Sequence, residues 1–376
     1  MRSALVDPAR RRLLAASGLG LMGIGAIQAM YGPAFPGLIQ RFDVGIDRVG
    51  ATVMLHFAAS FVATIASSPL LVRFGYRPVL VGAGGVMTAG VLLAALAPTW
   101  TWLLVGAGSA GVGFGLLNVG LNLVVARVFA PNAAPVLNLL SALFGIGAVL
   151  GPLAVGAAGA TLRLPFLGLA AVAATATLLA LRVPEPERAA PSTSARIPWR
   201  VVIGFVALYV LYVGVESGVA SWETVHLEPA VGAQRAAFLT SLFWVSLTVG
   251  RLVSIPLSAR VRPGTLVLVS AGLGLAALLA ANATALAPVA YAAAGLVFAP
   301  IFPTTLAWIE RVFPQRSERI VPVALALANI GPVGTTAVLG FAVARTGPEV
   351  VPTVLAIVAG GLLAVVTALW WGTRRD

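Results

Sequence analysis

Residues 183–200 read VPEPERAAPSTSARIPWR, and this polar stretch decides how the rest of the chain is organised. It is rich in Pro, Ser and charge, a composition typical of a connecting segment. The sequence on either side of it is long, apolar and nearly free of charge. The stretch therefore predicts a linker between an N-terminal domain over residues 1–182 and a C-terminal domain over residues 201–376.

The composition of the chain excludes an ordinary soluble protein. Of its 376 residues, 59% are apolar and 10% are charged, against about 45–50% and about 25% in soluble domains. So few charges cannot form the polar shell of a soluble domain. The chain contains no Cys, which excludes disulfides, thiolate metal sites and Cys nucleophiles.

Twelve apolar stretches are long enough to cross a bilayer, which takes about 20 residues per helix. Six precede the linker and six follow it, so we predict an all-α membrane protein with two six-helix bundles. The first stretch follows three arginines, as a secretory signal does, but its apolar run is too long for one, and we interpret it as a retained helix. The predicted spans are residues 13–39, 49–72, 78–98, 101–126, 135–158, 165–182, 201–225, 236–259, 264–284, 287–310, 320–344 and 348–371.

The arginines predict the orientation of the chain. The net charge of +12 comes from 24 basic residues, all of them Arg. With the N-terminus inside, 19 of them fall in cytoplasmic segments and 5 on the opposite side, in agreement with the positive-inside rule. We therefore expect a multi-pass protein of the cell (inner) membrane with both termini in the cytoplasm. Since topology explains the basic charge, nucleic acid is not an expected partner.

The two halves of the chain repeat each other. SPLLVRFGYRP at residues 68–78 matches IPLSARVRPG at residues 255–264, with Pro, Leu and Arg at corresponding places. Arg-Val-Phe ends the fourth span at 127–129 and the tenth at 311–313. Two pseudo-symmetric six-helix bundles joined by a cytoplasmic linker are the layout of a secondary transporter, which binds its substrate near the membrane midplane between the two bundles.

The loop after the second span resembles the signature of the major facilitator superfamily. Arg73, Gly75 and Arg77 match that signature, whereas Ser68 replaces its first Gly and Val72 its acidic residue. Further stretches resemble the fucose permease-like branch, a family of sugar:proton symporters and their relatives. They are LNLLSALFGIGAVLGP (137–152), LYVGVESGVASW (211–222), LFWVSLTVGRL (242–252) and GLVFAPIFPTTL (295–306).

This resemblance implies a facilitator fold that moves a small polar solute without a cofactor, and we expect a monomer. It does not carry over the proton route of that branch. A proton-accepting Glu and an Asp of the fucose permease correspond to Asn118 and Gly32 here.

Span 7 contains the most informative polar side chains, because polar groups inside a span usually contact a partner or line an aqueous cavity. Tyr209, Tyr212, Glu216 and Glu223 share one helical face. We predict that Glu216, somewhat past the midplane, binds substrate and is also the proton-coupling residue; the alternative is a structural pair with an Arg. Tyr212 on the same face is a predicted substrate contact. Trp222 is predicted to stack on a sugar ring, although an interfacial Trp is commonplace.

Other predicted substrate-binding residues are amides and one tyrosine in spans 1, 4 and 11. Gln28 and Tyr31 lie on one face of span 1, and Asn118 and Asn122 on the Gly-rich face of span 4. An amide offers a donor and an acceptor, which suits a hydroxyl group; the alternatives are simple packing for the span 1 residues and an interhelix hydrogen bond for the span 4 residues. Asn329 in span 11 is the last of this set.

Six charged residues in or near the predicted cytoplasmic ends of the spans are candidates for gating. A structural pair is the favoured interpretation of Arg251, which lies deepest. Exposed ion pairs contribute about 0–1 kcal/mol, which suits a gate that must open. The six residues are Arg73, Arg77, Arg127, Arg251, Glu310 and Arg311.

The sequence thus predicts a secondary active transporter that moves a sugar or similar polar solute by alternating access. Efflux of a drug or apolar metabolite by the same fold is the alternative. An enzyme is not expected, because clustered acids or histidines at one membrane face are missing. No Gly-rich loop with Lys indicates ATP hydrolysis, and with only His56 and His226 far apart no metal site is expected. The direction of transport and its coupling to protons are left open.

Overall fold

The computed structural model describes residues 7–130, 133–159, 161–185, 199–258, 260–313 and 316–373, and these residues form helices and short connections without any strand. Twelve helical spans in this described part are long and apolar enough to cross a membrane, which confirms the predicted fold class. In the first half the helices are α1 (Pro8–Phe42), α2 (Ile46–Val49), α3 (Ala51–Phe74), α4 (Tyr76–Leu96), α5 (Trp100–Val128), α6 (Ala133–Ala158) and α7 (Arg163–Ala180).

The second half begins with the long helix α8. Its helices are α8 (Trp199–Val231), α9 (Ala233–Ser258), α10 (Pro263–Ala280), α11 (Ala287–Phe298), α12 (Ile301–Val312), α13 (Ser317–Ala328), α14 (Ile330–Thr346) and α15 (Val351–Gly372), with a 3-10 helix at Pro348–Val350 before the last. Large apolar side chains such as Val289 (72% exposed) and Ile357 (70% exposed) point outward. A soluble protein rarely exposes contiguous apolar surface of this kind, and a bilayer would cover it.

The chain divides into two compact units. The first contains Met1–Val44 and Ala51–Ser192, and the second contains Gly45–Gly50 and Thr193–Asp376. The short segment Gly45–Gly50 therefore belongs to the second unit, although its neighbours along the chain belong to the first. The reason is that α2 packs against α14.

Glycines allow the helices of the first unit to approach closely. A Cβ at Gly147 of α6 would overlap the carbonyl oxygen of Met22 on α1, and a Cβ at Gly111 of α5 would overlap the carbonyl oxygen of His56 on α3. Helices in a membrane associate by such close backbone packing. The Gly-rich stretch in span 4 is therefore a packing surface.

Two spans of the second unit are broken, whereas the apolar pattern predicted continuous helices. The tenth span consists of α11 and α12, and the eleventh of α13 and α14. Pro300 and Pro303 have no N–H to donate along the tenth span. In the eleventh, the Asn329 side chain donates to the carbonyl oxygens of Leu325 and Ala326, both at 3.2 Å, and so competes with the helical ladder.

Candidate functional site

A polar cluster lies on α8 and α9 of the second unit. Tyr212 and Glu216 are one turn apart on α8, and Arg251 of α9 interacts with both. Tyr212 is fully buried and Glu216 is 6% exposed. The Tyr212 hydroxyl makes no hydrogen bond of ordinary length and angle with any residue described, while both charged side chains lie close enough to act on it. Pairing of the carboxylate with the guanidinium offsets the cost of burying either charge.

Aromatic side chains connect this cluster to the broken tenth span. The Tyr212 ring centroid lies 6.4 Å from that of Phe298 and 6.5 Å from that of Phe302. Tyr209, one turn before Tyr212, donates a hydrogen bond of 3.0 Å to the carbonyl oxygen of Phe302. Phe298 and Phe302 lie on either side of the break, so the charged cluster is next to the point where the helical hydrogen-bond ladder of this span is interrupted. Transporters commonly bind ligands and ions at such discontinuous helices.

Trp222 and Asn329 lie outside this cluster and make contacts of their own. The Trp222 ring is fully buried and packs against Gly50 and Gly340. If these glycines carried a side chain, its Cβ atom would lie 3.2 Å from the ring at Gly50 and 3.5 Å from the ring at Gly340. The edge of the Trp222 ring therefore packs against the end of α2 and against α14. The amide nitrogen of Asn329 donates to the preceding helical turn, as described above.

In the first unit, Tyr31 is engaged by His56. The Tyr31 hydroxyl and His56 Nδ1 are 3.0 Å apart, and the His56 ring packs edge-on against Phe57 and Phe114 at 5.3 Å and 4.9 Å. His56 is fully buried. This is the environment of a structural histidine, and it holds the predicted binding residue Tyr31. Gln28, three residues before Tyr31 on α1, is 9% exposed.

The two asparagines of α5 contact each other. Asn122 Nδ2 donates to the Asn118 backbone oxygen at 2.7 Å and lies 3.5 Å from Asn118 Oδ1. Asn118 is exposed and Asn122 half-buried. The structure thus presents one amide next to another on a single helix face.

The loop before α4 is held by an acidic residue that sequence reasoning did not single out. Glu185, just after the last span of the first unit, accepts hydrogen bonds from the backbone N–H groups of Tyr76 and Arg77, the second at 2.9 Å. Arg77 Nε also donates to the Val183 carbonyl oxygen at 2.9 Å. Gly75 has a φ of +85° and lies against the Glu185 carboxylate, so a side chain there would be strained and crowded. Glu185 thereby supplies a negative charge at the loop where Val72 replaces the acid of the superfamily signature.

The remaining predicted gating residues are dispersed. The Arg127 guanidinium lies 5.2 Å from the Tyr76 ring centroid and that of Arg73 5.1 Å from the Phe74 ring. Glu310 and Arg311 are exposed at the end of α12. Only Arg77 and Arg127 therefore meet around one structural feature, the start of α4.

Two signals in the sequence would have helped to find the missed residues. Glu185 follows Pro184 directly after a span, where its carboxylate can reach a neighbouring helix N-terminus. Tyr291 is the one polar side chain of α11, and its hydroxyl bonds to His226 Nδ1 at 2.9 Å. The described residues contain no cluster of three or more His, Asp or Glu side chains placed to hold a metal ion.

The twelve described helical spans that are long and apolar enough to cross a membrane indicate a multi-pass membrane protein. A sequence profile of the Major Facilitator Superfamily matches residues 17–280, more than half of the chain. The chain therefore belongs to the Major Facilitator Superfamily. It is a transporter and not an enzyme, in keeping with its family and with the solved structures it resembles.

Solved transporters are similar to this chain over nearly its whole length. A D-xylose-proton symporter superposes with a TM-score of 0.79 at 14% identity, covering 96% of this chain and 97% of the other. The nucleoside transporter NupG superposes with a TM-score of 0.78 at 16% identity, covering 96% of this chain and 99% of the other. The transporter FucP in the outward conformation superposes with a TM-score of 0.66 at 17% identity, covering 96% of this chain and 98% of the other. At these identities the similarity shows a common fold alone.

Curated relatives match only a short segment. The human Major facilitator superfamily domain-containing protein 4A is 49% identical over 41 residues, and the mouse protein 46% identical over 41 residues. These segments are 11% of this chain, which spans only 8% of the length of either relative. The match agrees with the family and adds no activity.

Proposed function

We propose that this protein is a secondary active transporter of a small polar organic solute, such as a sugar, and that it works by alternating access. The observation that carries the proposal is the group formed by the buried Tyr212 and Glu216 with the half-buried Arg251, beside a broken span. A hydroxylated solute needs donors and acceptors together, and a tyrosine, a carboxylate and a guanidinium supply both. Sugar and nucleoside transporters are among the proteins of similar fold.

The other predicted residues extend this proposal. We propose that Gln28, Tyr31, Asn118, Asn122, Trp222 and Asn329 contribute to solute binding, and that Arg73, Arg77, Arg127, Arg251, Glu310 and Arg311 take part in gating. The cell (inner) membrane with both termini in the cytoplasm is the proposed location, supported by the distribution of arginines.

Coupling to protons is proposed to act through Glu216. When Glu216 takes up a proton, Arg251 loses the negative charge that offsets its own, so the guanidinium becomes available to a solute or another acceptor. Proton binding and solute binding at one cluster would then be linked, as symport requires.

Ligand-induced stabilisation of the purified protein tests the class of solute. A ligand at 100 times its Kd stabilises the folded state by about 2.7 kcal/mol. We expect a sugar or a nucleoside from a panel of polar solutes to raise the melting temperature, and Glu216→Gln to reduce the rise without removing it, because the amide keeps hydrogen-bonding atoms but loses the negative charge. Asp43→Asn, at an exposed carboxylate after the end of α1, is the matched control and should keep the full rise. A rise with lipophilic cations and none with polar solutes would overturn the proposal.

Gradient-driven uptake tests the coupling. Once the panel identifies a solute, uptake into proteoliposomes is measured with and without an inward proton gradient. We expect Glu216→Gln to remove the gradient-dependent part and to leave exchange of solute intact. Undiminished gradient-driven uptake in this variant would exclude Glu216 as the coupling residue.

A second candidate function is efflux of an apolar molecule. One observation favours it: a groove of about 580 Å³ within the first unit, between α1, α6 and α7, is lined by apolar residues such as Met22, Leu150 and Leu164. Such a surface suits an acyl chain or an apolar drug, and stabilisation by lipophilic cations in the same panel would support it.

A further inference from the structure

A second carboxylate on α8 lies about two turns beyond Glu216. Glu223 is fully buried, and neither of its oxygens accepts a hydrogen bond from any residue in the described part of the chain. Glu216 has Arg251 to offset its charge, whereas Glu223 has no charged neighbour in interaction range among the described residues. The two buried acids on one helix face therefore differ in that Glu216 has a charged neighbour and Glu223 has none among the described residues.

The polar groups near Glu223 form a series that leads to the exposed end of α8. Tyr291 of α11 interacts electrostatically with Glu223, and its hydroxyl bonds to His226 Nδ1 at 2.9 Å. His226 interacts in turn with Glu349, which is exposed on the 3-10 helix Pro348–Val350. The series thus runs from a buried acid through a phenol and an imidazole to an exposed carboxylate.

Among the described residues, the other charged groups on α8 and on the helices around Glu223 are exposed, lie near a helix end or act on a different residue. Arg235 of α9 and Arg345 of α14 are both exposed, and Glu228 lies in the last turns of α8. Arg251 of α9 acts on Glu216. None of these residues compensates a negative charge on Glu223.

An ionised carboxylate without hydrogen bonds or a counter-charge costs several kcal/mol in a membrane interior. A neutral carboxylic acid avoids most of that cost, because burying an uncharged polar group costs far less than burying a charge. We propose that Glu223 is a second proton site of this transporter, that it holds a proton in the conformation described here, and that Tyr291 and His226 connect it to the exposed end of the second unit.

The transfer balances in protons. A proton from water binds His226 at Nε2, and the Nδ1 proton passes to the Tyr291 oxygen while the original hydroxyl proton passes to a Glu223 oxygen. His226 ends neutral with its tautomer exchanged, and one proton has moved from water to Glu223. Because the Glu223 oxygens accept no hydrogen bond from a described residue, the last transfer requires a side-chain rotation or one bridging water.

This inference rests on the proposed function, because a proton site matters to a transporter that is driven by protons. Its first test needs no solute. Infrared difference spectra of the full-length protein in detergent micelles between neutral and alkaline pH report the C=O stretch of protonated carboxylic acids. We expect this band at neutral pH in the wild type and in Glu216→Gln, and its loss in Glu223→Gln. A band that persists in Glu223→Gln overturns the proposal, and a cooperative thermal transition in each variant shows that it is folded.

The second test concerns the connection to the surface. A positioned side chain speeds proton transfer by about 10²–10⁴-fold, so Tyr291→Phe should slow the band's response to a pH jump by at least about tenfold. The amplitude at equilibrium should stay the same, because Glu223 is intact. An unchanged rate would overturn the role of Tyr291 and His226.

The two proposals fail in distinguishable ways. If the Glu223 band titrates while proton gradients leave solute uptake unchanged, the proton site stands and proton-coupled transport fails. If gradient-driven uptake is found while Glu223→Gln keeps the band, transport stands and the proton site fails.

Discussion

At the scale of single residues, the pairing of the buried Glu216 with the half-buried Arg251 makes each charge depend on the other. Removal of one partner from a buried ion pair costs about 3–5 kcal/mol, because the remaining charge is left uncompensated. Arg251 is half-buried, so solvent reduces this cost and we expect the lower end of the range.

The first prediction is a non-additive effect on stability. Arg251→Leu should destabilise the folded state by about 3 kcal/mol, and adding Glu216→Gln should recover most of that loss, because no uncompensated charge remains. Thermal denaturation in detergent measures both variants. Arg260→Leu, a change at an exposed arginine beyond the end of α9, is the control and should have little effect. Additive losses in the double variant would contradict the pairing.

The residues of this cluster could be predicted from sequence only in part. Glu216 and Tyr212 were identified from depth and spacing along one helix, which are local properties. Their pairing with Arg251 depends on how α8 packs against α9. That contact is tertiary, and the spacing of residues along a single helix does not predict it.

At the scale of elements, the start of α4 shows how a missing signature residue can be replaced from elsewhere in the chain. Glu185 is 109 positions from Tyr76 along the chain and accepts hydrogen bonds from the first turn of α4. A carboxylate at a helix N-terminus satisfies free N–H groups and interacts favourably with the helix dipole.

The second prediction follows from this cap. Glu185→Ala should lower stability by about 1 kcal/mol, the usual effect of losing an N-terminal cap. Introducing Val72→Asp, which restores the acid of the superfamily signature at a side chain that is 53% exposed, should recover part of the loss. The melting temperatures of the single and double variants measure both effects. If Glu185→Ala has the melting temperature of the wild type, the cap does not contribute to the stability of the folded state.

The broken spans belong to the same scale, and the apolar pattern did not reveal them. The Pro residues around position 300 and the Asn at 329 were visible, but Pro also occurs inside α1, α3, α6 and α9 without dividing those helices. Whether a proline breaks a span depends on the packing around it. Composition alone therefore predicts the number of spans better than their continuity.

At the scale of the whole molecule, the number of spans and the presence of two halves could be predicted because they follow from hydropathy and internal repetition. The membership of Gly45–Gly50 in the second unit could not, since chain order places it between two spans of the first. Orientation in the membrane remains a prediction from the positions of the arginines.

The third prediction tests that orientation. The chain has no Cys, so a single introduced Cys is the only thiol. Ser258→Cys, at the exposed end of α9, should be protected from a membrane-impermeant maleimide in intact cells and react after lysis. Thr346→Cys, at the exposed end of α14, should react in intact cells. The reverse pattern would invert the topology.

The two His–Tyr hydrogen bonds give this protein a built-in pair of spectroscopic reporters. The chain has two histidines, with His56 in the first unit and His226 in the second, and in each the Nδ1 atom bonds to a tyrosine hydroxyl. Selective ¹⁵N-histidine labelling should thus yield one set of imidazole resonances per unit. Because nitrogen shifts distinguish the two tautomers and the charged ring, each unit can be followed separately without introducing any foreign label.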